Sequence, residues 1–194
     1  MSMPSIIGLA GPSGVGKDHL ALTVFRPMGY EIMALADSGR PQLAVEHDMD
    51  MSRLFGERTP EDRDLMVAFF EGKREEFGEP YWCDRLLEGM NLAMVRRDQR
   101  AFVIPDVRRQ FEVDFIERLG GVVLQVRAPK RLEARANGIT EAQRLSPTEA
   151  TAHELRCHGT IYNDEGDEAP LSQILTLFGV TPVIDPRFRL GAPE

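Results

Sequence analysis

The residues best suited to chemistry stand near the start of the chain. Residues 6–25 read IIGLAGPSGVGKDHLALTVF. Gly11, Ser13, Gly14, Val15, Gly16 and Lys17 fit the pattern Gly-x-x-x-x-Gly-Lys, a loop that cradles phosphates between a strand and a helix. Glycines take backbone shapes that other residues avoid, so main-chain N–H groups can turn inward as an anion nest. A helix starting near Lys17 adds the positive end of its dipole. Lys17 itself would bring a compact charge to the β- and γ-phosphates of a nucleotide. Asp18 stands where this pattern carries the Ser or Thr that touches magnesium, which counts against the GTPase and motor-ATPase versions of the loop. A carboxylate can hold Mg2+ directly or through water, or serve only as a first-turn acid suited to the helix dipole; both readings stay open.

A second group of polar residues falls at the ends of apolar runs. Asp106 closes AFVIPDV (101–107) and is placed to order a magnesium-bound water or to cap a helix. Arg108 follows it, either to hold a phosphate or as a solvated arginine. Asp37 closes YEIMALAD (30–37), with Arg40 just beyond, and could meet an acceptor, meet magnesium or cap a helix. Arg127, Arg131 and Arg135 are spaced by four, which puts them on one helical face if the helix is continuous, although Pro129 limits its start. Residues 127–144 therefore read as a basic lid that excludes water, or as an exposed face paired with Glu133 and Glu141. Arg53, Arg58, Arg63, Arg74 and Arg85 are candidates for a monophosphate clamp, because the planar guanidinium grips phosphate oxygens in pairs. Tyr81 and Trp82 could stack on a base or belong to the core. Asn163 could equally be a turn former. His153, Cys157 and His158 lack a fourth zinc ligand, and GPSGV lacks the last glycine of a serine-hydrolase elbow.

The elements that must position these groups alternate. Short apolar strands are expected at 5–10, 30–37, 101–107, 122–126 and 159–163. Helices are expected at 17–26, through most of 39–78, and at 81–97, 109–119 and 169–178. Thr59-Pro60 reads as a helix start, with Leu65, Met66, Phe69 and Phe70 forming an apolar stripe behind it. This alternation implies an α/β fold with a parallel sheet covered on both faces, and ligands at the carboxyl ends of its strands. The 194 residues suit one domain, 1–194, and their 42% hydrophobic content can build its core. The residues from Thr181 carry three prolines and read as a loosely packed extension.

Composition narrows the partners. The net charge of −8 argues against a nucleic-acid partner. No stretch is long enough to cross a membrane. The start has no basic n-region of a signal peptide, and the two cysteines, Cys83 and Cys157, have no metal-type spacing. These features point to a reducing, cytoplasmic setting. A homodimer is compatible with the sequence.

Four stretches resemble the phage-type deoxynucleoside monophosphate kinases. GPSGVGKD shares that family's Gly-Lys-Asp, with His19 where a Thr usually follows. LADSGR (35–40) is similar to a Phe-Ala-Asp-Pro-Leu-Lys stretch through Asp37 and Arg40. Residues 104–126 resemble its strand, Asp-Val-Arg, helix, Gly-Gly, strand run, with Asp106, Arg108 and Glu112 matching. Residues 145–166 are similar to a Ser-Glu element and a strand ending in Asn-x-Gly, with Asn163 and Gly166 at altered spacing. Trp82 and Arg85 resemble an aromatic–basic pair before the third strand. The likeness runs across most of 5–178, and its motifs, moderately specific, also resemble animal-type phosphomevalonate kinase.

The resemblance implies a P-loop kinase fold with a helical acceptor-binding region at about 39–97 and a lid at about 127–150. It implies Mg2+-assisted phosphoryl transfer from ATP to a deoxynucleoside monophosphate. The alternatives are another phosphorylated acceptor such as phosphomevalonate, or a nucleotide-binding switch without catalysis. Lys17, Asp106, Arg108, Arg131 and Arg135 are then the expected catalytic groups. Residues Gly11 and Ser13 to Asp18, with Asn163, would bind the nucleotide. Asp37, Arg40, Arg74, Trp82, Arg85 and Arg108 would bind the acceptor, and Asp18 and Asp106 the metal.

Overall fold

A computed structural model describes residues 2–56, 59–135, 152 and 154–180. At its centre, β1 (Ile6–Ala10) is buried along its whole length. Its side chains alternate, with Ile7 and Leu9 entering one apolar cluster while Ile6 and Ala10 enter another. That period of two, buried on both sides, is what a central parallel strand requires.

The chain next forms α1 (Lys17–Leu20), which continues through a π-helical turn (Ala21–Phe25) and a 3-10 turn (Arg26–Met28). It covers one face of the sheet, where Leu20, Ala21 and Phe25 pack with Ile7, Leu9 and Val103. β2 (Glu31–Ile32) follows, then a 3-10 turn (Leu35–Ser38), α2 (Arg40–Glu46), α3 (Met51–Phe55), α4 (Pro60–Phe77) and α5 (Tyr81–Arg97). β3 (Phe102–Val107), α6 (Gln110–Arg118), β4 (Val122–Arg127), α7 (Pro129–Arg135), β5 (Gly159–Tyr162) and α8 (Pro170–Leu177) complete the described elements. The five strands are parallel in the order β2-β3-β1-β4-β5.

The opposite face is covered by α5 and α6, whose Leu86, Met90, Val113 and Ile116 share a cluster with Phe102, Ile104 and Val123. Gly8 lets α6 approach: a Cβ there would stand 2.8 Å from Ile116 Cδ1. No helix among the described residues is long and apolar enough to cross a membrane.

Two expectations need correction. The strand expected over 30–37 is only Glu31–Ile32, because the chain turns into the 3-10 segment at Leu35. The cause lies far along the sequence: the Asp106 carboxylate accepts the N–H groups of Leu35 and Ala36 at 2.8 and 2.9 Å. The helical stretch expected over 39–78 is three helices. Asp50 caps α3 by accepting Ser52 N–H at 2.8 Å. Thr59 and Asp62 cap α4 reciprocally, each side chain accepting the other's backbone N–H. Arg58, His153, most of the expected lid (136–150) and the tail from Thr181 lie outside the described residues.

Candidate active site

The phosphate-loop pattern joins β1 to α1 as a tight turn of main chain. Gly11 has φ 135°, and a Cβ on it would lie 2.5 Å from Val126 O; Gly16 has φ 92°, and its Cβ would lie 2.4 Å from Asn163 Nδ2. Neither position accepts a side chain, so only glycine lets the loop pack this closely against the ends of β4 and β5. Lys17 is buried, and its Nζ donates to Gly11 O at 2.6 Å and Pro12 O at 2.8 Å. Asp18 is exposed in the first turn of α1. A glycine-built turn of main chain, a helix start and an inward lysine are the parts that a site for a nucleotide's phosphate chain needs.

Beside this loop, the end of β3 carries Asp106 and Arg108. Burial pushes the Asp106 carboxyl up from its ordinary value; the amides of Ala36 and Leu35 and the Arg108 charge oppose the rise, and Asp37 adds to it. Both Asp106 oxygens are thus hydrogen-bonded, and the carboxylate holds the 3-10 turn that presents Asp37. Asp37 in turn accepts Ala34 N–H at 3.1 Å and pairs with Arg40 Nη1 at 2.5 Å. The Arg40 guanidinium lies 4.7 Å from the Phe55 ring centroid, and its Nε is buried with no partner among the described residues. Asp37, Arg40, Asp106 and Arg108 therefore form one mixed-charge group.

The remaining expected acceptor residues are placed differently. Arg74 is held between Glu71, at 2.9 Å, and buried Glu112, at 3.2 Å. Trp82 is 1% exposed, donates its indole N–H to Phe70 O and packs against the Phe70 and Phe69 rings. Its face belongs to the core, so it cannot stack on a base. Arg85 is exposed on α5, pairs with Glu88 at 3.0 Å and lies 5.7 Å from the Tyr81 ring centroid.

At the other side of the loop, the ends of β4 and β5 bring Arg131 and Asn163 to it. Asn163 Nδ2 donates to Val15 O at 2.9 Å. Arg131 donates to Asn163 O at 2.6 Å and reaches Val15 O at 3.5 Å. Arg135 ends α7, and its side chain lies outside the described residues.

Two residues that organise the site have little sequence signal. Glu112 matches the family stretch, but nothing in its type reveals that Oε2 accepts both Arg108 N–H (2.7 Å) and Arg109 N–H (3.1 Å); its place at the third position of α6 is the one available cue. Asp164 accepts Lys130 N–H at 2.8 Å and Arg131 N–H at 2.9 Å. In sequence it is one acid in the polar run Asn163-Asp164-Glu165-Gly166. Among the described residues, no three His, Cys, Asp or Glu side chains gather as a metal site. Of the two carboxylates expected to hold magnesium, Asp18 is exposed and Asp106 accepts two backbone amides.

No protein-family profile and no curated protein sequence matches the chain. Solved structures do. TT1252 from Thermus thermophilus is 23% identical, with a TM-score of 0.55 over 93% of this chain and all of that one. A sugar kinase from Janibacter sp. HTCC2649 is 17% identical, with a TM-score of 0.50 over 93% of this chain and 97% of that one. The fold is that of the P-loop kinases. Its five-stranded parallel sheet, helix-covered on both faces, sets the glycine loop, Asp106, Arg131 and Asn163 at the carboxyl ends of four strands.

Proposed function

We propose that this protein transfers a phosphoryl group from ATP to a deoxynucleoside monophosphate. One observation carries the reading: a glycine loop with an inward Lys17 adjoins a mixed-charge group, Asp37, Arg40, Asp106 and Arg108, on neighbouring strand ends. One side suits a nucleotide's phosphates and the other an acceptor that already carries phosphate.

In this reading an acceptor phosphate oxygen attacks the γ-phosphorus, the bond to the bridging oxygen breaks, and ADP leaves. Such transfer depends on positioning and neutralisation of charge more than on covalent help from the protein. The loop from Gly11 to Asp18 binds the phosphate chain. Lys17 leaves its two loop carbonyls for phosphate oxygens. Arg131 and Arg135 on α7 add positive charge from the lid side, and Asn163 lines the loop. Arg40 and Arg108 grip the acceptor phosphate, Asp37 aims Arg40, and Arg85 stands further out on α5. Magnesium, when bound, would supply positive charge against the phosphates, and Asp18 and Asp106 would hold it through water. Arg74 and Trp82 have structural duties and leave the acceptor group.

The test is acceptor-dependent ADP release across dAMP, dGMP, dCMP and dTMP, their ribose forms and phosphomevalonate. Turnover of at least one dNMP is expected, and Lys17→Ala should lower kcat at least ~1,000-fold, about 4 kcal/mol of transition-state stabilisation. Failure on all four dNMPs would sink the reading, and turnover of phosphomevalonate alone would replace it. A second reading, a nucleotide-binding switch, draws on the occupation of both Asp106 oxygens by backbone amides. It requires ATP binding by calorimetry without ADP release for any acceptor.

A further inference from the structure

α7 begins at Pro129, and the residue before it, Ala128, has no side-chain oxygen to cap a helix. The cap comes from 34 positions away. The Asp164 carboxylate, 9% exposed, accepts the N–H groups of Lys130 and Arg131 with one oxygen each. Asp164 is fixed in turn, since its own N–H donates to Asp167 Oδ2 at 2.8 Å. Its neighbour Asn163 is anchored through its backbone N–H to Arg127 O at 2.8 Å and through its side chain to Val15 O. The Asn163 carbonyl then accepts from Arg131 Nη2. Backbone and guanidinium of Arg131 are thus both held by consecutive residues at the tip of β5, and the guanidinium comes within 2.8 Å of where a Gly16 Cβ would stand.

We propose that Asp164 is a positioning residue for nucleotide binding, holding Arg131 over the phosphate loop so that its guanidinium meets the phosphate chain. The inference rests on the nucleotide half of the proposed function and is independent of the acceptor. Asp164 touches no ligand. It fixes the start of α7, and Asn163 O fixes the direction of the side chain. A guanidinium has five N–H donors, and the bonds to Asn163 O and Val15 O use two, so phosphate oxygens can be gripped without releasing the anchor.

The experiment is calorimetric titration of the full chain with ATP, ADP and AMP. Asp164→Ala and Arg131→Ala should each weaken ATP about tenfold and AMP less than twofold, because AMP lacks the β- and γ-phosphates. The double variant should be no weaker than Arg131→Ala alone, since one residue acts through the other. Equal losses for ATP and AMP, or additive losses in the double variant, would overturn the proposal by making Asp164 a merely structural cap. If Asp164→Ala does not fold, Asp164→Asn keeps the shape and one acceptor oxygen, and should weaken ATP about threefold with the same phosphate dependence; an unchanged ATP affinity in a folded Asp164→Asn overturns it too. Wild-type binding of ATP with no dNMP turnover would defeat the proposed reaction and leave this inference standing. A wild-type protein that binds no ATP defeats both.

Discussion

Glu112 is the residue whose titration the structure makes most visible. It is 4% exposed, and burial raises its pKa to about 7; the amides of Arg108 and Arg109 and the Arg74 charge oppose the rise, and Asp106 adds to it. Cys83 on α5 also feels its charge. The sign follows from linkage. The folded protein binds a proton that the unfolded chain releases near pH 4.5, so the stabilising contribution is full below that pH and is lost as pH rises through about 7. The shift corresponds to a few kcal/mol, about 1.4 kcal/mol per pKa unit. Glu112→Gln, permanently neutral, should flatten the fall of Tm between pH 5 and 8, and a variant with the wild-type slope would show that Glu112 does not titrate there. Asp18 offers a separate test. It is exposed beside Lys17, so Asp18→Ala should raise the half-saturating Mg2+ concentration roughly fivefold, about 1 kcal/mol. Asp18→Ser should restore it, because a hydroxyl also binds magnesium. An unchanged Mg2+ titration in Asp18→Ala would reduce the residue to a first-turn acid.

At the scale of elements, local signals gave reliable readings and remote ones did not. The start of α4 was legible because Thr59 and Pro60 stand together there, and Thr59 and Asp62, three positions apart, satisfy each other. Thr59→Ala should therefore cost about 1 kcal/mol, read as a lower urea midpoint at unchanged m. Phosphoryl transfer should change little, because Thr59 bonds to none of the groups proposed to bind phosphate. The end of β2 was illegible for the opposite reason. YEIMALAD has strand-like residues throughout, yet Asp106, 71 positions from Leu35, takes the amides that would have continued the ladder. α7 repeats the device with Asp164. A sequence displays a carboxylate's type and its place at a strand end. It does not display which distant amides the carboxylate will meet, and in both cases those partners decide the local structure. The strand, glycine turn and helix from Ile6 to Leu20 were readable because their signals are contiguous. The charge group at Asp37, Arg40, Asp106 and Arg108 was readable residue by residue, while its internal pairing was not.

At the scale of the whole molecule, the helical layer over β3 and β1 is knit together around Trp82, and this decides what the residue can do. Its ring centroid lies 4.5 Å from that of Phe70 on α4 and 4.7 Å from that of Tyr81. A Cβ on Gly39, just before α2, would come within 2.7 Å of its ring. Three helical segments converge on one side chain, so an aromatic residue that reads as a base-stacking candidate in isolation becomes the packing centre of α2, α4 and α5. Trp82→Ala should cost about 3–5 kcal/mol, the usual range for emptying a buried aromatic site. Because Trp82 is the single tryptophan of the chain, its fluorescence separates packing from binding. Emission should be blue-shifted in the native protein, move red with denaturant in one step with loss of helical circular dichroism, and stay within a few per cent when a saturating dNMP is added. Strong quenching by the acceptor, with no loss of Tm in Trp82→Ala, would return the residue to the acceptor site and require the helical layer to open around it.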